Sequence, residues 1–186
     1  MLSRIGTPMD MDGAMASKGM VDTTFVQNAM TRTQHPLYQF LSLCAPKSCD
    51  RDQFFLSLDQ PMLSSMSTED GAASLTALTA QCVADALSRV PSWTSSWSVP
   101  LSSTPSVLVV TGGGRKNNAL MKCLRDSVGP DVRVVSTESM GWRGDSVEAE
   151  AFAYLAQRSV LGLPLSWSGT TRARGPTCGG VLVKPI

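Results

Sequence analysis

An α/β fold with a parallel sheet is predicted by three observations. Val107-Leu108-Val109-Val110 is a short aliphatic, mostly β-branched run, the pattern of a strand buried on both faces of a parallel sheet. It stops at Gly112-Gly113-Gly114, and Asn117 then stands as a cap before Ala119, Leu120, Met121 and Leu124, which continue as a helix. A second strand over residues 131–136 and a second helix opening at Gly144-Asp145 and running through Ala156 repeat the alternation.

The remaining elements follow in chain order. Residues 1–22 are polar and glycine-punctuated. Asp10-x-Asp12-Gly13 has the look of a calcium loop, but the twelfth position is Val21 where an EF-hand needs glutamate. A helix is expected around Asp22 to Thr33, with Phe25, Val26, Ala29 and Met30 on one face. Gln34-His35-Pro36 then breaks the chain before a short apolar patch, and His35, the one histidine, is read as structural or exposed. At Pro46-Lys47-Ser48-Cys49-Asp50-Arg51, either Ser48 or Asp50 caps a short helix, or Lys47 and Arg51 hold an anion. From Thr68, Leu75, Leu78, Cys82, Val83, Ala86 and Leu87 recur at helical spacing, predicting a long core-facing helix that ends before Pro91. Residues 92–105 read as a serine- and proline-rich surface loop whose Trp93 and Trp97 either contact a sugar or pin the loop to the core. The end, through Gly179-Gly180-Val181-Leu182-Val183, is predicted to finish in a last strand.

Composition bounds the function. The 186 residues are 42% hydrophobic, enough for a real core. Sixteen basic and fifteen acidic residues leave +1, which gives no electrostatic basis for binding nucleic acid or an anionic membrane. Five cysteines without CxxC spacing are expected to be reduced thiols in a cytoplasm, and no metal site is predicted.

The glycine turn carries the chemistry. Glycines bring backbone amides close to a ligand, and with the positive end of the following helix they favour phosphate oxygens, so a nucleotide is expected at Gly112, Gly113, Gly114 and Asn117. The alternative is a turn that only permits close packing. A Walker loop fails because Asn117 follows Lys116. A Rossmann layout, with its acidic residue near Glu138, is closer but has Asn117 in place of its third glycine. Asp145 is read as a helix cap, and Glu148, one turn further, either faces a cleft or stays solvated.

Taken together these stretches resemble the C-terminal half of the anhydro-N-acetylmuramic acid kinases. The match rests on Gly112-Gly113-Gly114-x-x-Asn117 with Leu120-Met121, and on Gly144-Asp145-x-x-Glu148-Ala149-x-Ala151-Phe152-Ala153-x-Leu155-Ala156-x-Arg158 with Gly162-Leu163-Pro164. Asp10-x-Asp12-Gly13, Pro46-Lys47-Ser48 with Arg51 and Phe54, and Ala73-Ser74-Leu75-Thr76 with Leu78-Thr79-Ala80 support it in the family's order. Cys49-Asp50 stands where the family has Thr-Gly, and Arg172 where it has glycine.

The resemblance implies the second lobe of an actin-like, ribonuclease H-like sugar kinase fold, with the first lobe largely missing and residues 1–186 a single partial domain. It implies ATP with Mg2+, nucleotide contacts at the glycine block, and sugar contacts at Glu148 and Asp145. The implied reaction phosphorylates 1,6-anhydro-N-acetylmuramic acid at O6 while water opens the anhydro ring. The family's phosphate loop and the Asp-Thr-Gly segment carrying its general base are not found here, so the base is expected upstream and no catalytic residue is assigned. A truncated, inactive fragment is therefore expected, self-associating or dimeric through uncovered surface. The alternative is a non-catalytic nucleotide- or amino-sugar-binding module.

Overall fold

A computed structural model describes residues 6, 8–93 and 104–183. Trp97, and the side chains of Arg51 and Trp93, lie outside the described residues, as does most of the 92–105 connection. Helices α1 (Thr23–Thr31), α2 (Pro36–Leu41), α3 (Arg51–Leu56), α4 (Gln60–Ser65) and α5 (Thr68–Trp93) come first. Strand β1 (Val107–Val110), helix α6 (Asn118–Val128), strand β2 (Arg133–Ser136), helix α7 (Val147–Val160) and the single turn α8 (Ser168–Thr171) follow.

Local side chains start most of these helices. Asp22 accepts from the Phe25 amide at the head of α1, and Asp59 from the Met62 amide at the head of α4. His35 is structural, as expected: its ring nitrogen accepts from the Leu37 amide and caps α2, with Pro36 in the first turn. The apolar patch expected after the break is thus a short helix. Asp50 forms a capping box with Gln53 on α3, which settles the cap in its favour over Ser48.

The long helix α5 runs past its expected end, to Trp93, with Pro91 inside it. Pro91 lies in the last turn, where a missing N–H costs one terminal bond and leaves the body of the helix intact. Two cores flank α5. Leu78 joins Phe25, Ala29, Leu37, Leu41 and Leu58 in one, while Ala80 joins Met121, Leu124 and Val134 in the other. Burying each large side chain contributes about 1.5–3 kcal/mol, and this double burial is what holds α5 between the helical and the sheet-bearing parts.

β1 and β2 pair in parallel, Val107 with Arg133 through Val110 with Ser136. Leu108, Val110 and Val134 pack onto α5 and α6. The expectation of a strand buried on both faces is corrected: no residue of β1 is fully buried, and Val107 is 36% exposed. The described sheet has two strands, and helices cover one face of it. The expected last strand is also absent: Val181, Leu182 and Val183 are exposed and unpaired among the described residues. The nearest equivalent is an isolated antiparallel bridge between Ser166 and Thr177. Among the described residues the run pairs with no strand, so its β propensity goes unused. No described helix is long and apolar enough to cross a membrane.

Candidate functional site

The chain leaves β1 through Gly112, whose φ of 67° and ψ of −166° lie in a region open in practice to glycine alone. Gly113–Lys116 then form one tight helical turn. A Cβ built on Gly112 or Gly113 meets no atom within 4 Å, so the turn faces open space. The amides of Gly113 and Gly114, at the start of that turn, donate to no described acceptor. Asn117 closes the turn by accepting from the Leu120 amide at 2.8 Å, capping α6 as the sequence predicts.

Asn117 joins the turn to the N-terminal segment. At Gly13, with φ of 75°, an added Cβ would lie 2.1 Å from Asn117 Oδ1. The Asp10-x-Asp12-Gly13 motif is therefore a close-packed turn. Asp10 accepts from the Met15 and Ala16 amides at 2.8 and 3.0 Å, tying the segment to itself. Beside it lies a cavity of about 480 Å³ whose lining includes Asn117, Asp10, Phe55, Thr68, Leu75 and Thr76.

Beneath the turn sits the residue the sequence reading missed. Arg115 is 9% exposed, and its guanidinium donates to the Gly112 carbonyl at 2.6 Å, Glu138 Oε1 at 2.7 Å and Asp145 Oδ1 at 2.9 Å. Gly144 makes room for it: a Cβ there would lie 2.2 Å from Arg115 Nε and 2.4 Å from Thr137 Oγ1. The available signal was an arginine directly after three glycines with acids one strand away. Glu138, considered as the acid of a Rossmann layout, spends its carboxylate on Arg115, which with the Glu138 backbone pushes its pKa down to about 2.

Asp145 is corrected from helix cap to ion-pair partner. Helix α7 starts at Val147 behind Ser146, which gives no side-chain cap, and Lys116 reaches both Asp145 oxygens at 2.9 and 3.0 Å. Both oxygens of the Asp145 carboxylate are taken up by charge-assisted bonds to two cations. Lys116, then Arg115, hold the Asp145 pKa below the usual carboxylate range. The turn and the head of α7 are thus strapped together. Glu148 is exposed and makes no ion pair with the described residues. A cavity of about 350 Å³ nearby is lined by Gly141, Trp142, Arg143, Val147 and Glu150, and by neither Glu148 nor Asp145.

Other motif residues have structural duties. Lys47 donates to the Leu41 and Phe40 carbonyls at 2.6 and 3.3 Å, closing the end of α2. Burial, then Arg89, lower its pKa from the usual lysine value. Arg158 donates to the Pro164 carbonyl at 2.7 Å and lies over the rings of Trp167 and Tyr154, shaping the chain after α7. Arg172 has a φ of 59°, the left-handed region where glycine is at ease. Among the described residues no three His, Cys, Asp or Glu side chains gather as a metal site, so no residue is assigned to hold magnesium.

The family model for anhydro-N-acetylmuramic acid kinase matches residues 2–185. The chain belongs to the anhydro-N-acetylmuramic acid kinase family. Proteins of that name from Rhodopseudomonas palustris and Rhizobium rhizogenes are 38% and 42% identical over 185 and 176 residues, covering 100% and 95% of this chain. One from Rhodospirillum rubrum is 39% identical over 180 residues. The chain spans 44%, 41% and 42% of the lengths of these three relatives. The glycine turn, Arg115 strap and head of α7 therefore all lie within the part of a kinase family that the chain shares.

Proposed function

We propose that this chain supplies the nucleotide-contacting and part of the sugar-contacting surface of an ATP-dependent kinase. In this reading ATP and water convert 1,6-anhydro-N-acetylmuramic acid into N-acetylmuramic acid 6-phosphate and ADP, with phosphorylation at O6 and opening of the anhydro ring. The relatives' name supports the substrate, and the second lobe of an actin-like fold is the architecture that goes with it. The observation that carries the reading is the Arg115–Asp145–Lys116 strap, which fixes an open glycine turn against the head of α7.

Each group has a part. The unpaired amides of Gly113 and Gly114 receive phosphate oxygens, a role the following helix dipole favours. Asn117 has its oxygen held by the Leu120 amide, which leaves its NH2 group to donate to the nucleotide. Asp145 positions Lys116 near the turn, and Glu148, free of partners among the described residues, hydrogen-bonds a sugar hydroxyl. Magnesium bound with the nucleotide supplies charge neutralisation at the phosphates. The general base comes from outside these residues.

The test combines this chain with ATP and the anhydro sugar, with and without the portion of the Rhodopseudomonas palustris kinase that it does not match. The expected result is sugar phosphate in the combined sample only, lost when Gly113→Val is introduced. ATP binding without turnover in every combination would instead favour the non-catalytic module. Neither binding nor turnover would overturn the reading.

A further inference from the structure

Two segments 128 residues apart in sequence meet where Arg172 Nη2 donates to the Cys44 carbonyl at 2.8 Å. Between them lies a cavity of about 340 Å³ lined by Leu43, Pro46, Lys47, Ser48, Thr170, Thr171 and Arg172. Its lining holds two cations and three hydroxyls and no carboxylate. Arg172 itself forms no ion pair with a described carboxylate, so its charge is not neutralised within the lining.

The backbone adds to the case. Arg172 occupies a left-handed conformation that disfavours any residue with a Cβ, so the local fold alone would be better served by glycine. A side chain kept at such a position at a cost in strain points to a use for it. The guanidinium has donors beyond the single Nη2 bond to Cys44, and a planar fork of that kind matches two oxygens of one anion.

We propose that this cavity binds a small oxyanion group, a phosphate monoester or a carboxylate, with Arg172 as the principal anchor, Lys47 adding positive potential and Ser48 a hydroxyl donor. The site is separate from the glycine turn and shares no residue with it.

The test follows the backbone amide resonances of Ser48, Thr171 and Arg172 in the full chain during titration with inorganic phosphate and, separately, with lactate. Saturable shifts with phosphate assign the phosphoryl form, and saturable shifts with lactate alone assign the carboxylate form. In either case Arg172→Gly is expected to raise the Kd at least about tenfold, the loss of one charge-assisted pair. Glycine suits the backbone there, so this variant folds. Gly113→Val, expected to weaken ATP binding, leaves the anion titration unchanged, which separates the two sites. Shifts with neither probe would overturn the proposal. So would shifts that survive Arg172→Gly, or that are lost equally in Arg174→Gly at the neighbouring exposed arginine.

Discussion

The two sides of the glycine turn are built differently. Behind it, α6 lies along α5 and buries Met121 and Leu124 against Ala80 and Val134. Ahead of it, α7 buries no residue at all, and Phe152, Tyr154 and Val160 are 65%, 59% and 69% exposed. Packing fixes the first side, while the second is held by the ion pairs of Arg115, Lys116 and Asp145 at its head and by Arg158 and Ser159 at its foot. Apolar contact tolerates little displacement, whereas half-exposed ion pairs are individually weak and sensitive to salt and pH. The turn is therefore anchored to a rigid body on one side and to an electrostatically held helix on the other.

The largest expected contrast lies between Leu124→Ala and Phe152→Ala. Leu124 is 3% exposed, and its truncation is expected to cost about 2–5 kcal/mol in denaturant unfolding. Phe152→Ala is expected to change stability by less than about 0.5 kcal/mol. Equal losses would erase the distinction between the two sides. Gly144→Ala comes next, because its Cβ collides with Arg115 and Thr137; about 1–3 kcal/mol is expected, with the ion-pair strap displaced. Arg172→Gly is expected to keep or raise stability by about 1 kcal/mol, since relief of the left-handed backbone exceeds the loss of one exposed hydrogen bond.

The strap also sets a pH dependence. With its folded pKa lowered to about 2 from an ordinary 4.5, Glu138 contributes stability that is fully present above pH 4.5. That contribution fades as pH falls from 4.5 towards 2. Glu138→Gln is expected to flatten this part of the acid unfolding profile, and an unchanged profile would remove Glu138 from the strap.

What the sequence made legible tracks how local each signal is. The turn at Gly112, the cap at Asn117 and the start of the long helix through Leu78 depend on spacing within a few residues, and each is found where the local pattern places it. The cap at Asp145 is a local expectation, and the pair that displaces it joins residues 29 positions apart. Arg115 stayed hidden for the same reason: only the close approach of Gly144 and Glu138 reveals that its charge is buried under the turn. Val181 to Val183 look like a strand in isolation, but a strand needs a partner edge, which no local pattern supplies. The family itself was legible, because its motifs are short, local and ordered along the chain.

Calorimetric titration of the chain with ATP tests most directly whether the open glycine turn receives the nucleotide. Saturable ATP binding is expected, weakened at least about tenfold by Gly113→Val, at a position where an added Cβ meets no atom within 4 Å. Equal ATP affinity in the two proteins would contradict the account and leave the turn as a packing device.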